Sequence, residues 1–178
     1  MGRANYSYND RYLLTITGRY DGSSVLAEGN KWAFFPSVAL AWRAAEEDFI
    51  KNMNLFSDLK LRLSYGEVGN DVVPPYSTQA FLKKTPYDFD GSAAYGYAPE
   101  NIGNSELKWE NSSEINVGLD LGFLKNRIMA SVEYYDKTTN DLIQEVAIPS
   151  SLGFSSVTAN VGKIMNRGIE ISLNTVNF

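Results

Sequence analysis

The 178-residue sequence contains neither cysteine nor histidine. Without cysteine the chain has no disulfide framework, no thiol nucleophile and no thiolate metal site. Without histidine it lacks the side chain that most often serves as a general base and as a metal ligand. We therefore predict no catalytic residue, no cofactor and no metal site, and we expect a protein that is not an enzyme.

Basic residues are also few, because 16 Lys and Arg face 21 Asp and Glu and give a net charge of -5. Proteins that bind nucleic acid usually carry a basic stripe, so nucleic acid is not among the expected partners. No run of 18 apolar residues indicates a transmembrane helix. The first residues, MGRANYSYND, lack the apolar region of a signal peptide.

What the sequence does contain is a regular alternation of apolar and polar residues. Aromatic residues make up 13% of the chain, led by 11 Tyr, and 14 glycines accompany them. This composition and a period of two residues are typical of β-strands separated by turns. The alternation predicts an all-β fold, an antiparallel meander of about seven long strands. The predicted strands cover residues 3–8, 11–21, 33–43, 58–66, 109–123, 128–134 and 160–175.

The connections between these strands differ in length in a regular way. Short or moderate connections alternate with long ones, so the long connections fall at one end of the sheet. We predict long outer loops at about 67–106 and 138–159, the first of them irregular. Such an insert is uncommon in a compact soluble domain but ordinary in a transmembrane barrel. In the connection that follows the third predicted strand, Glu46, Glu47 and Asp48 are predicted to cap a short helical turn.

Aromatic residues bracket the apolar face of two predicted strands. Tyr12 and Tyr20 lie eight residues apart, as do Phe34 and Trp42. Eight residues span roughly 26 Å along a strand, which a tilt of about 40° projects to roughly 20 Å. That span approaches the apolar band of a membrane barrel between its aromatic girdles. A soluble extracellular β-sandwich, such as a carbohydrate-binding module, would show the same alternation against a protein core, and this alternative stays open.

The first predicted loop is rich in tyrosine and aspartate. Its aromatic rings can stack on sugar rings or pack against a partner, and they can equally pack the loop against its neighbours. The candidate ligand or partner contacts are Tyr76, Phe81, Tyr87, Phe89, Tyr95 and Tyr97.

Long stretches of the chain resemble one transporter family. They include LKLRLSYGEVGN, APENIGNSELKWENSSEINVGLDLGFLKNRIMASVEYYDKTTNDLI and NVGKIMNRGIEISLNT. These segments are similar to the later barrel strands of the SusC/RagA family, the TonB-linked transporters of the Bacteroidetes outer membrane. Family members are several times longer than this chain.

The resemblance implies that residues 1–178 are part of a 22-stranded TonB-dependent receptor β-barrel in a Gram-negative outer membrane. The plug, the TonB box and the signal peptide would lie outside this sequence. The implied function is import of glycans or other large nutrients, such as oligosaccharides or peptides. The implied partners are a SusD-like surface lipoprotein, outer-membrane lipid, the cargo, and the TonB complex acting through the absent N-terminal part.

Overall fold

The computed structural model describes residues 1–176, and antiparallel strands account for most of them. The strands are β1 (Gly2–Tyr8), β2 (Tyr12–Gly22), β3 (Trp32–Arg43), β4 (Phe56–Asn70), β5 (Leu82–Phe89), β6 (Ser92–Pro99), β7 (Glu110–Phe123), β8 (Ile128–Asn140), β9 (Ile143–Ala147), β10 (Ser156–Asn160) and β11 (Lys163–Thr175). The helical segments in this range are short. They are the 3-10 turns Ala44–Glu46 and Ser150–Leu152 and the helix α1 (Asp48–Lys51). None of the helices in this range is long and apolar enough to cross a membrane.

Seven strands form one sheet in the order β1-β2-β3-β4-β7-β8-β11, which confirms the predicted antiparallel meander of seven long strands. Five of them, from β3 onward, have 12 to 15 residues, longer than the usual strand of a soluble sheet. The connections β1–β2, β3–β4 and β7–β8 lie at one end, called the inner end here. The connections β2–β3, β4–β7 and β8–β11 lie at the outer end; the last two are the longest, whereas β2–β3 is shorter than the inner connection β3–β4.

The expectation that residues 67–106 are irregular is wrong. Strand β4 continues to Asn70, because its last residues pair with the start of β7. Further along, β5 and β6 form a separate two-stranded hairpin. The stretch 138–159 likewise holds the end of β8 and a hairpin of β9 with β10. Their assignment as outer loops of a barrel stays a prediction.

The β5–β6 hairpin turns at Asp90 and Gly91, whose φ angles are 53° and 72°. Two positive φ values define a type I′ turn, which matches the twist of the flanking strands and favours Asp-Gly. The sequence does not predict β5 as a strand, because it contains Pro86 and proline is uncommon in strands. It is tolerated here because β5 is an edge strand.

The cluster of buried apolar residues lies at the outer end, while Phe35 on β3 and Ala44 at the inner end are buried outside it. Leu26, Val73 and Leu107 pack together, with Trp109 and Ile143 against them. On the apolar face of the sheet the side chains are exposed or half-buried, and nothing in residues 1–176 packs as a second layer on that face. A β-sandwich requires such a second sheet, so the fold does not match the soluble alternative.

Candidate functional site

One face of the seven-stranded sheet is apolar from β2 to β11. A single register row across six strands reads Leu14, Leu40, Leu63, Val117, Tyr134 and Ile169. All of these side chains except Leu14 are exposed, with Ile169 68% accessible. An exposed apolar face this large, unbroken across six strands, marks a surface for lipid or for protein contact.

Aromatic side chains border this face at both ends. At the inner end Tyr12 stacks on Trp42 with ring centroids 6.5 Å apart. A register shift between Phe56 and Asp58 turns Phe56 onto the apolar side, where its ring lies 5.3 Å from that of Phe123. At the outer end Tyr20 stacks on Trp32 at 5.2 Å. The brackets predicted on β2 and β3 are thus cross-strand partners, because Tyr12 pairs with Trp42 and Tyr20 with Phe34.

The outer limit of the apolar band steps toward the inner end along the sheet. It runs through Tyr20, Phe34, Tyr65, Ile115, Tyr134 and Ile169, and the same face beyond it carries Glu67, Asp136 and Arg167. From β3 to β4 the limit moves four residues toward the inner end, because Tyr65 pairs with Val38 rather than with Phe34. From β7 to β8 it moves two more residues, because Ile115 pairs with Asp136 rather than with Tyr134. Six residues over five strand spacings correspond to strands tilted by about 40° to the band. Membrane barrels have this tilt.

The opposite face is polar and centres on Arg62. Its guanidinium group donates to both carboxylate oxygens of Asp120 at 2.9 and 3.1 Å, and to Glu133 at 3.3 Å. Ser131 donates to Asp120 at 2.9 Å. Gly118 makes room for this arrangement, because a Cβ atom there would lie 2.8 Å from the guanidinium. The sequence alone does not predict this cluster, because it depends on the register of three strands.

Glu47 ties together the inner end of β2 and β3. Its carboxylate accepts hydrogen bonds from the Tyr12 hydroxyl at 2.8 Å, from Trp42 Nε1 at 3.2 Å and from Arg11 at 2.9 Å. These donors hold the pKa of Glu47 below its ordinary value, the Tyr12 hydroxyl contributing most. The predicted helical turns are present, with Glu46 and Asp48 in their first turns and Glu47 at the N-cap position of α1, but Glu47 makes no side-chain cap hydrogen bond.

Hydrogen bonds join the three connections at the outer end into one body. The Ala27 N–H donates to the Leu107 carbonyl at 3.0 Å, and Trp109 Nε1 donates to the Lys31 carbonyl at 3.1 Å. The Asn160 side chain both donates to the Lys108 carbonyl and accepts from its N–H. These bonds surround the small buried cluster and hold the outer end in one arrangement.

The six predicted contact residues do not form one site. Tyr76 and Phe81 touch edge to face at the base of the β5–β6 hairpin, with centroids 5.8 Å apart. Tyr87 and Phe89 pack on one face of the hairpin. Tyr95 and Tyr97 share the other face, where Lys84 Nζ lies 3.7 Å above the Tyr95 ring. All six are exposed.

The family comparison decides what this sheet belongs to. Residues 1–177 match the family model described as TonB dependent receptor-like, beta-barrel. The chain belongs to this TonB-dependent receptor β-barrel family. Membership implies the outer membrane of a Gram-negative bacterium.

Relatives agree with this assignment. The chain is 43% identical over 176 residues to TonB-dependent receptor P26 of Formosa agariphila, covering 99% of this chain and 18% of the relative. It is 40% identical over 181 residues to TonB-dependent receptor SusC of Bacteroides thetaiotaomicron, covering 97% and 18%. Both relatives are named as receptors rather than enzymes.

Solved structures show the same fold. The RagAB peptide importer in its closed-closed state superposes with a TM-score of 0.87 at 36% identity, covering 96% of this chain and 18% of that chain. The siderophore receptor PirA of Pseudomonas aeruginosa, 16% identical with a TM-score of 0.63, shares the fold alone. The chain thus spans about a fifth of the length of the relatives and of the importer that it matches. Among residues 1–176, no group of three or more acidic side chains is placed to hold a metal ion.

Proposed function

We propose that this chain is a wall segment of a TonB-dependent transporter that imports large nutrients, oligosaccharides or peptides, across the outer membrane of a Bacteroidetes-type bacterium. In the whole protein the seven strands form part of a closed ring of 22 strands. The open edges of β1 and β11 then pair with neighbouring strands, as a membrane requires.

The apolar face carries this proposal. It has the features of a lipid-facing barrel wall: strands of suitable length, two aromatic borders roughly 20 Å apart in depth, and a tilt of about 40°. The opposite face is polar and satisfies its charges internally, as in the Arg62 cluster. If the apolar face packed on a protein core, the outer limit of the apolar band would not need to move steadily toward the inner end from β2 to β11.

In the proposed transporter, the barrel works with a SusD-like surface lipoprotein and with the TonB complex. The SusC relative and the RagAB peptide importer support this arrangement. The importer supports peptide as a cargo class, and glycan stays the second class that the family resemblance implies. The outer hairpin is the proposed contact for cargo or lipoprotein, through Tyr76, Phe81, Tyr87, Phe89, Tyr95 and Tyr97. Their exposure at the outer end supports this role.

Deletion of the full-length gene tests the transport function. The mutant should lose growth on the oligosaccharides or peptides that the parent takes up, and a plasmid copy should restore it. Growth on every such nutrient at the parental rate would refute the proposal. A second test is expression of residues 1–178 without detergent, since a soluble, monomeric, cooperatively melting product would instead support a β-sandwich.

A further inference from the structure

The β5–β6 hairpin has two backbone edges, because within the described residues each of its strands pairs only with the other. Next to a two-residue turn, the flanking pair Phe89 and Ser92 exchanges both backbone hydrogen bonds, and every second pair then directs its backbone groups outward. The 2.7 Å bond from the Glu100 N–H to the Phe81 carbonyl continues this alternation at the base. The outward-directed groups on β6 therefore belong to Ala93, Tyr95 and Tyr97.

The two edges are not equally open. On β5, the outward positions opposite these residues are Asp88, Pro86 and Lys84. Proline removes the central donor, and charged residues discourage pairing, so β5 has the features that proteins use to block an edge. The β6 edge has no charge at its outward positions, and its one proline, Pro99, is the last residue of the strand, so the N–H groups of Ala93, Tyr95 and Tyr97 stay available. Only β6 is therefore ready to accept another strand.

We propose that the open edge of β6 binds an extended peptide as a third strand, and that peptide is the cargo class. This inference rests on the proposed transport function. Three N–H and three C=O groups repeat every two residues, roughly 7 Å apart, and match the backbone of an extended polypeptide. An oligosaccharide lacks that regular series of donors and acceptors.

Side chains beside the edge fit the same ligand. Tyr95 and Tyr97 lie on one face, and Lys84 holds the Tyr95 ring in place from across the hairpin. The two rings offer an exposed apolar surface to the alternate side chains of an added strand. Backbone pairing then tolerates many sequences, which suits a transporter of mixed peptides.

The test uses the purified full-length transporter and a fluorescein-labelled peptide of four Thr-Val repeats flanked by lysines. Ala93→Pro removes one outward N–H, whereas the control Ala93→Val keeps it. Affinity measured by fluorescence anisotropy should fall about tenfold for the proline variant, the loss expected for one backbone hydrogen bond left unmade. It should stay within about twofold for the valine variant. Equal affinities for both variants would overturn the proposal.

Backbone-methylated peptides test the idea on the unmodified protein, so a misfolded variant cannot obscure the result. One peptide carries N-methyl groups on the threonines only and the other on every residue of the repeat. Pairing through one edge uses only alternate N–H groups, so the first peptide should bind and the second should not. Binding of the fully methylated peptide, or loss of the alternately methylated one, would overturn an edge-on mode.

Uptake in cells separates this proposal from the transport function. If gene deletion abolishes peptide import while Ala93→Pro imports like Ala93→Val, the transporter stands and the β6 site is refuted. If the proline variant instead loses only co-purification with the surface lipoprotein, the edge serves that partner and the cargo assignment is overturned. Loss of import with Ala93→Pro alone supports the proposal.

Discussion

Replacing Leu119 with arginine places a charge at the centre of the apolar band. On β7 this residue lies midway between Ile115 at the outer limit and Phe123 at the inner one. It pairs with Leu61 on β4 and with Val132 on β8, so apolar neighbours surround it on the same face. An arginine there has no protein partner and must meet lipid.

The expected loss of stability depends on how deep the substituted residue lies in the membrane. Four residues span roughly 13 Å along the strand, which a tilt of about 40° turns into roughly 10 Å of depth. Arginine at the midplane of a barrel costs about 2–4 kcal/mol, and near the interface about 0–1 kcal/mol. Leu119→Arg should therefore lose about 2–4 kcal/mol, Val117→Arg an intermediate amount, and Ile115→Arg at most about 1 kcal/mol.

The assay is equilibrium unfolding in urea of the full-length protein refolded into lipid vesicles, monitored by the gel shift of unboiled samples. Asn116→Arg is the matched control, since residue 116 lies between these positions but faces the polar side. It should change stability by less than Leu119→Arg. Equal losses at 115, 117 and 119, or the greatest loss at 116, would refute a lipid-facing assignment.

Three further predictions concern packing and charge. Gly69→Ala should cost about 1–3 kcal/mol, because the new Cβ overlaps the buried ring of Phe35; thermal unfolding measures this. Arg62→Lys should cost about 1 kcal/mol in the same assay, because lysine cannot make the forked contact with Asp120 and solvent screens a side chain that is 34% exposed. Glu47 contributes stability that is present above its ordinary pKa of 4.5 and lost as the pH falls through its lowered folded pKa. In a series of unfolding curves from neutral to acidic pH, Glu47→Gln should therefore remove part of the acid dependence.

Each of these predictions has a matched control. Gly2→Ala should be neutral, because a Cβ atom there meets nothing within 4 Å. Arg3→Lys makes the same exchange at an exposed arginine that donates to the Thr17 hydroxyl at 3.3 Å and makes no forked contact with a carboxylate. Asp48→Asn serves as the charge control, because the Asp48 side chain is 87% exposed and 3.8 Å from Arg11, and it should cost less stability at neutral pH than Glu47→Gln. Controls that shift as much as their partners would contradict the assigned contacts.

Much of the wall was predictable because alternation is a local property. A period of two in residues 109–123 already separates Val117 from Asn116, whatever the neighbouring strand is. The aromatic brackets at Tyr12 and Tyr20 follow from the same spacing. The hairpin of β5 and β6 was missed because Pro86 argues against a strand, and only the backbone shows that it occupies an outward edge position.

The sequence by itself determined the class of the protein: seven long amphipathic strands, one apolar face, and a family resemblance that the comparisons confirm. Tertiary structure alone decided which residues meet. Arg62 finds Asp120 and Glu133 far along the chain, and Glu47 binds Tyr12 instead of capping its own helical turn. The reason is that side-chain period is encoded within a strand, whereas register is a property of two strands and exists only once they pair.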